Sequence, residues 1–330
     1  MADINHTMVT EFVLIAFEDL HQFQILLFMV VLLIYITCIG GNIIIYLLIK
    51  LDVSLHTPMY YFISVFAILE IIFVSIIIPK LLDILIAGRN RISFVACFLQ
   101  LYCADTAGGT QCYLLTVMAF DRHFAITNPL RYVGIMSQAC TKLAVFSWIA
   151  GLITAFVLII FTASLDYCGP NKIQHFFCDL TPLQNLACSD PHVSNLVTSV
   201  ACIFGILFPF VIIIGLYIHI IIKVLEVKSV DGKHKAFSTC SSHLVVSSLF
   251  FCTSITVYVK PSDSQNDKFL AFIYTVVTPL LNPFIYTFRN RAVKCAFLKN
   301  FDMDSGAGEQ PSQNLLKQSI EPPEKRDTEM

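Results

Sequence analysis

Hydrophobic residues in this chain neither alternate nor keep to one helical stripe. They run uninterrupted, in seven stretches read as Ile25–Ile49, Met59–Ile86, Phe98–Phe120, Lys142–Leu165, Leu196–Val224, Phe237–Val259 and Phe269–Phe288. A helix of roughly 20 apolar residues covers the ~30 Å of a bilayer's hydrocarbon. Barrel strands alternate over about ten residues instead. The pattern therefore predicts an all-α bundle of seven transmembrane helices. Composition agrees, since 330 residues are 56% hydrophobic and 13% charged, where soluble domains carry about 25% charge. A net charge of −2 offers nothing to nucleic acid. No zinc-finger spacing, Gly-rich phosphate loop or HExxH occurs either, which excludes a soluble enzyme of those classes.

Lys and Arg accumulate on the cytoplasmic side of short loops. With the N-terminus outside, the inner ends hold Lys50, Arg122, Arg131, Lys142, Lys223, Lys228, Lys233, Lys235, Arg289, Arg291, Lys294 and Lys299. The outer ends hold half as many: Lys80, Arg89, Arg91, Lys172, Lys260 and Lys268. The expected layout is an extracellular N-terminus over 1–24, a membrane domain over 25–300 and a disordered cytoplasmic tail over 301–330. Asn5-His6-Thr7 is a glycosylation acceptor triplet on the outer segment. Asp3 and Glu11 interrupt any cleavable signal peptide, so span one is its own targeting signal. After span seven, Arg and Lys alternate with Val293, Ala296, Phe297 and Leu298, the pattern of a short amphipathic helix on the inner membrane surface. Cys295 there is either lipidated or a plain thiol.

Of twelve cysteines, this topology puts Cys97, Cys168, Cys178 and Cys188 at the outer face, where disulfides persist. Four cysteines allow three pairings, and spacing does not choose among them. Cys97–Cys178 with Cys168–Cys188 is the physically attractive choice. The first ties the top of span three to the long outer loop. The second closes that loop on itself, cutting the entropy of holding about 30 residues in one shape over a cavity.

Four strings coincide with these span ends: Leu55-His56-Thr57-Pro58-Met59-Tyr60, Met118-Ala119-Phe120-Asp121-Arg122, Lys235-Ala236-Phe237-Ser238-Thr239-Cys240-Ser241-Ser242-His243, and Pro279-Leu280-Leu281-Asn282-Pro283-Phe284-Ile285-Tyr286. Together they resemble the odorant receptors, within the rhodopsin-like G protein-coupled receptors, over about residues 5 to 300. The resemblance implies a plasma-membrane receptor for a small, mostly apolar volatile odorant. It also implies an inner face that activates a stimulatory heterotrimeric G protein of the olfactory type and raises cyclic AMP. The chain departs from the family pattern in places. Asp121-Arg122-His123 stands for Asp-Arg-Tyr, Leu216-Tyr217 for Ser-Tyr, Phe250-Phe251-Cys252 for Phe-Tyr-Gly, and Gln111 for a glutamate common in span three.

Charge inside a bilayer is expensive, about 2.5–3.5 kcal/mol on insertion scales, so Glu70 in span two needs a use. Asn42, Gln111 and Asn282 lie at similar depth and are its expected partners. Related receptors hold water and sometimes sodium at such a core, and Gln111 weakens the case for the ion. The resemblance makes Asp121 and Arg122 a latch, with Tyr217, Asn282, Pro283 and Tyr286 shaping the G-protein cleft when it opens. Pro209, Pro279 and Pro283 bend their helices. It also carries a ligand set in the outer half: Ala104, Asp105, Gly108 and Gly109 on span three, Cys202 and Gly205 on span five, Phe251, Ile255 and Tyr258 on span six, and Phe272 and Thr275 on span seven. Spacings of three or four put each set on one face. Asp105 would meet a basic group on a ligand; the plain alternative pairs it with Tyr102 or Lys80. A non-olfactory receptor for a small amine or metabolite is the nearest competing function. A transporter or channel would show repeats, broken helices or a charged pathway. An enzyme would gather His175, His192, His219 and His243 at one depth, and they are spread over both faces.

Overall fold

The computed structural model describes residues 9–226, 230–258 and 264–302; the Asn5 triplet and the tail beyond 302 lie outside them. Helices dominate. They are α1 (Gln24–Leu51), α2 (Pro58–Ala87), α3 (Phe94–Thr127) and α4 (Pro129–Ala163), then the short α5 (Leu180–Gln184). A fifth rod joins α6 (His192–Cys202) to α7 (Phe208–Glu226). Next come α8 (Val230–Tyr258), a seventh rod joining α9 (Ser264–Phe272) to α10 (Thr278–Arg289), and α11 (Arg291–Asp302).

Among the described residues, six of the rods are long and apolar enough to cross a membrane by length and composition. The exception, α3, carries Gln100, Asp105, Thr106, Thr110 and Gln111, and it packs against α2, α4 and α7. A helix surrounded by protein has little lipid to face, so its apolar requirement relaxes. The opposite case is α4. Phe146, Ile153 and Phe156 are 61%, 59% and 56% exposed along its outer side. Ala144, Ser147, Gly151, Ala155, Leu158 and Thr162 are buried along the other at spacings of three or four, all of them small except Leu158. That stripe lets the α3 and α4 backbones approach closely, as small residues do where lipid supplies no hydrophobic drive between helices.

Local chemistry sets the ends. Pro58 opens α2 after an extended Thr57, and Gly88 closes it in the left-handed conformation at φ 62° with its N–H on Ile84 O. Ser93 caps α3 by accepting from the Ala96 N–H at 3.2 Å. The fifth and seventh rods each contain a π turn, Ile203–Leu207 and Ile273–Val277. Pro209 and Pro279 stand four residues beyond Gly205 and Thr275, whose carbonyls they cannot reach with an N–H, and a ring pressed on that carbonyl widens the turn.

One feature was not expected from the sequence. At the end of the bundle holding Cys97, a three-stranded sheet forms in the order β2 (Arg91–Ser93), β1 (Glu11–Leu14), β3 (Lys172–Ile173). β1 pairs antiparallel with β2, Phe12 opposite Ile92, and parallel with β3, Val13 opposite Lys172. Phe12 is fully buried, stacking on Phe94 and meeting Tyr167 edge-on, both at 5.7 Å between ring centroids. Two disulfides complete this cap. Cys97–Cys178 has Cα atoms 5.5 Å apart, and Cys168–Cys188 has them 5.9 Å apart.

Candidate ligand cavity and switch cluster

Beneath the cap, between α3, α4, α6, α8 and the seventh rod, lies a small, mostly apolar cavity. Seven of the eleven expected ligand residues line it: Ala104, Asp105, Gly108, Gly109, Cys202, Gly205 and Tyr258. The other four lie outside its wall. Phe251 is fully buried and stacks on Phe210 at 5.6 Å, and Ile255 is half-buried on the same helix. Phe272 packs on Phe17 and Phe176 under the cap, and the Thr275 hydroxyl donates to Ala271 O at 2.7 Å. On the seventh rod it is Tyr274, between Phe272 and Thr275, that lines the cavity, so the face that turns to it is a neighbouring one. Residues missed include Phe73, Cys112, Tyr113, Thr198, Ala201, Ser254 and Tyr274. Helical spacing was available to find five of them: Cys112 and Tyr113 follow Gly108 and Gly109 by four, Ser254 precedes Tyr258 by four, and Thr198 and Ala201 continue the stripe of Cys202 and Gly205; Phe73 and Tyr274 had no such signal.

Asp105 is the cavity's one carboxylate, and its Oδ2 is sealed from solvent with no hydrogen-bond partner among the described residues. Lys80 does not serve it. The Lys80 ammonium donates to Arg89 O at 2.7 Å and Arg91 O at 2.8 Å and lies 3.6 Å from Asp83. Above the cavity is a polar vestibule lined by His175, Asp179, Lys172 and Asp267 among others, and Tyr258 lines both spaces. Burial pushes the Asp179 carboxyl up to about 6, the Leu180 N–H offsetting part of this and the Asp267 charge adding to it. Burial, reinforced by the Lys268 charge, pushes His175 down to about 3. Gln100 fastens this loop to the bundle, accepting from the Cys178 N–H at 3.0 Å and donating to Ile76 O at 3.0 Å.

Glu70, 1% exposed, sits midway along α2. Its Oε1 accepts from Asn282 Nδ2 at 2.8 Å and Gln111 Nε2 at 3.2 Å, while Glu70 Oε2 and Asn282 Oδ1 have no hydrogen-bond partner among the described residues. Asn42 does not join them. Its amide donates to Cys38 O one turn back, at 2.9 Å. Nearby, Gly41 is what admits Pro283, since a Cβ at 41 would stand 2.9 Å from the proline Cβ.

At the far end of α3, Asp121 is fully buried and bonds Arg122 through Oδ2, with Arg122 Nε at 2.9 Å. Tyr132 of α4 donates to Asp121 Oδ1 at 2.8 Å and accepts from Arg122 at 3.2 Å, closing a three-residue ring. Tyr217 meets His243 Nδ1 at 2.5 Å, and His243 Nε2 meets Ser247 at 3.2 Å. Met59, Met118 and His243 wall a small gap against Asp121 and Arg122. The Tyr286 hydroxyl has no hydrogen-bond partner among the described residues, and its ring lies edge-on to Phe66 at 6.4 Å. In this arrangement Arg122 is latched to Asp121 and Tyr132, while Tyr217 is engaged by α8.

Comparison with known proteins agrees with this architecture. The olfactory receptor family profile matches residues 31–302. Human olfactory receptor 6N1 is 42% identical over 294 residues, covering 88% of this chain and 94% of that protein. Human olfactory receptor 10A4 is 43% identical over 297 residues, with coverage of 88% and 94%. Mouse olfactory receptor 6E1 is 43% identical over 298 residues, with coverage of 89% and 95%. A helical membrane bundle, a loop bridged to its third helix by Cys97–Cys178, and similarity along most of the chain lead to one assignment: the chain belongs to the olfactory receptor family, and it is an odorant receptor rather than an enzyme.

Proposed function

We propose that the cap and vestibule face outward at the plasma membrane and that a small, mostly apolar volatile enters the cavity between α3, α6 and α8. Its occupancy is reported to a stimulatory, olfactory-type G protein at the Arg122 end, raising cyclic AMP. The observation that carries this reading is the placement of two features on α3: the cavity wall at Ala104 to Tyr113 and, about two turns beyond Tyr113, the Asp121–Arg122 pair that Tyr132 of α4 closes into a ring. Ligand acts by population shift, binding the activated arrangement more tightly than the latched one, and only that difference moves the equilibrium. Orientation is supported by the excess of Lys and Arg at the Arg122 end, which also puts the Asn5 triplet where glycans are added. No cofactor is needed. A sodium ion at Glu70 would find Glu70 Oε2 and Asn282 Oδ1 open, but Gln111 presents an N–H donor there, so the residues favour a polar cluster without the ion.

A basic amine is the second ligand class, favoured by the unpaired Oδ2 of Asp105. The test is a cyclic AMP assay with a diverse odorant panel in cells supplied with the G protein. Gly205→Leu, which fills the cavity, should raise the half-maximal dose of neutral agonists at least about tenfold, or 1.4 kcal/mol. Asp105→Asn should do so for amines alone. Unchanged potency in Gly205→Leu, or responses that persist without the G protein, would overturn the reading.

A further inference from the structure

The third residue of Asp121-Arg122-His123 is a histidine where the family pattern has tyrosine, and the structure gives that change a partner. His123 Nε2 on α3 lies 2.7 Å from His219 Nδ1 on α7, with ring centroids 4.8 Å apart and planes tilted by 41°. The pair is solvent-accessible, so an ion can reach it. We propose that His123 and His219 form a bis-histidine site for a divalent transition metal of the zinc class, bridging the third and fifth rods at the Arg122 end of the bundle. Neutral imidazole is the preferred nitrogen ligand of such ions, at 2.0–2.1 Å. A tetrahedral ion between two such nitrogens sets them about 3.4 Å apart, which the two rings reach by small side-chain rotations with both backbones held in helix. The ring that donates in the histidine pair moves its N–H to the outer nitrogen, so each ring presents a lone pair and no proton is released. Among the described residues no third His, Cys, Asp or Glu completes a cluster. Water fills the remaining positions and the site is exchangeable rather than structural.

The placement gives the ion a consequence. His123 follows Arg122 directly, and His219 lies two residues beyond Tyr217, so a bridge between them ties α3 to α7 beside both parts of the switch cluster. Under the proposed function, whose activation requires these rods to rearrange, zinc therefore holds the latched state. The site itself does not depend on that reading, and the experiment separates the two. The purified full-length receptor is titrated with zinc chloride alongside His123→Tyr, His219→Asn and the double variant; tyrosine at 123 is the residue the family pattern places there. Each single variant should weaken zinc binding more than about tenfold, the lower range for loss of even an outer partner of a metal ligand, and the double variant should be no weaker than either single. Undiminished binding in both singles, or losses that add independently, would overturn the site. In membranes supplied with G protein, zinc should lower agonist-driven nucleotide exchange at least about fivefold in the wild type and leave both singles unaffected. Loss of binding in the variants without this inhibition keeps the site and refutes its action on the switch.

Discussion

Gly151 is the position where the packing of α3 on α4 has least to spare. A Cβ built there stands 2.8 Å from Thr106 O and 2.8 Å from Thr110 N, and also meets Thr110 Oγ1. Two of these three atoms are backbone and cannot swing aside. The hydroxyl is itself held, donating to Thr106 O at 2.7 Å. Gly151→Ala must therefore push two membrane helices apart. Overpacking costs typically 1–3 kcal/mol, and backbone collisions put this case near the upper end, about 3 kcal/mol or two powers of ten in an equilibrium constant. Gly109→Ala is the matched control, because its Cβ would sit 3.5 Å from Gly151 Cα, an ordinary contact across the same interface. Thermal unfolding of the purified receptor and surface delivery of a tagged one measure both. Gly151→Ala should fail in each assay and Gly109→Ala in neither. Adding Thr110→Ala should restore Gly151→Ala only in part, since the backbone contacts remain. A Gly151→Ala protein that unfolds like the wild type, or a Gly109→Ala protein that fails as badly, would refute the close-approach argument.

Glu70→Leu strands two buried amide donors, each costing about 1–3 kcal/mol, whereas Glu70→Gln keeps an acceptor oxygen; equal thermal stability of the two variants would contradict the Gln111–Glu70–Asn282 cluster. The disulfides close separations of 81 and 20 residues, which chain-entropy scaling values at about 4.5 and 3.3 kcal/mol. Cys97→Ser should therefore lower surface receptor more than Cys168→Ser, and the reverse order would count against that scaling here. The cap should respond to acid in two opposed ways. His175 is held near 3, below its ordinary value of about 6.5, so its contribution is present above pH 6.5 and drains away as pH falls toward 3. Asp179, held near 6, does the opposite, gaining stability as pH falls from 6 to about 4. Protease nicking of the loop should rise more steeply between pH 6 and 4 in Asp179→Asn than in wild type, and less steeply in His175→Gln. Parallel curves for all three would show that neither group is linked to loop stability.

The bundle is legible in the sequence because hydrocarbon imposes a simple rule on seven long runs, and lipid-facing residues such as Phe146 and Phe156 obey it. The third helix is the informative exception, its Gln100, Asp105 and Gln111 facing protein. Cavity residues on α3 and the fifth rod follow from helical spacing, and Gly205 keeps its place on the wall although it lies within a π turn. On the seventh rod the wall is formed by Tyr274 rather than by Phe272 and Thr275 on either side of it, a choice of face that spacing alone does not make. The π turn on each rod is marked in sequence only by a proline, which reads equally as a bend. Asn42 illustrates a different limit. Depth along a span is visible in sequence, but whether an amide reaches across to Glu70 or back to Cys38 is set by rotamer and neighbour. The sheet was hidden because its strands are two to four residues long and none repeats an alternating pattern long enough to read.

That sheet has a consequence for how the receptor is made. Its middle strand is synthesised before either neighbour, and Asn171, which donates to Glu11 O, is 160 residues further along the chain. β2 follows the second helix and covers one edge, but the edge that takes β3 must wait while four helices are inserted and the loop between the fourth and fifth is delivered beside it. Exposed strand edges are templates for association between chains. A truncated or stalled product ending before Lys172 would leave one edge of β1 open, which makes completion of the cap a natural point at which immature receptor is distinguished from receptor ready for export.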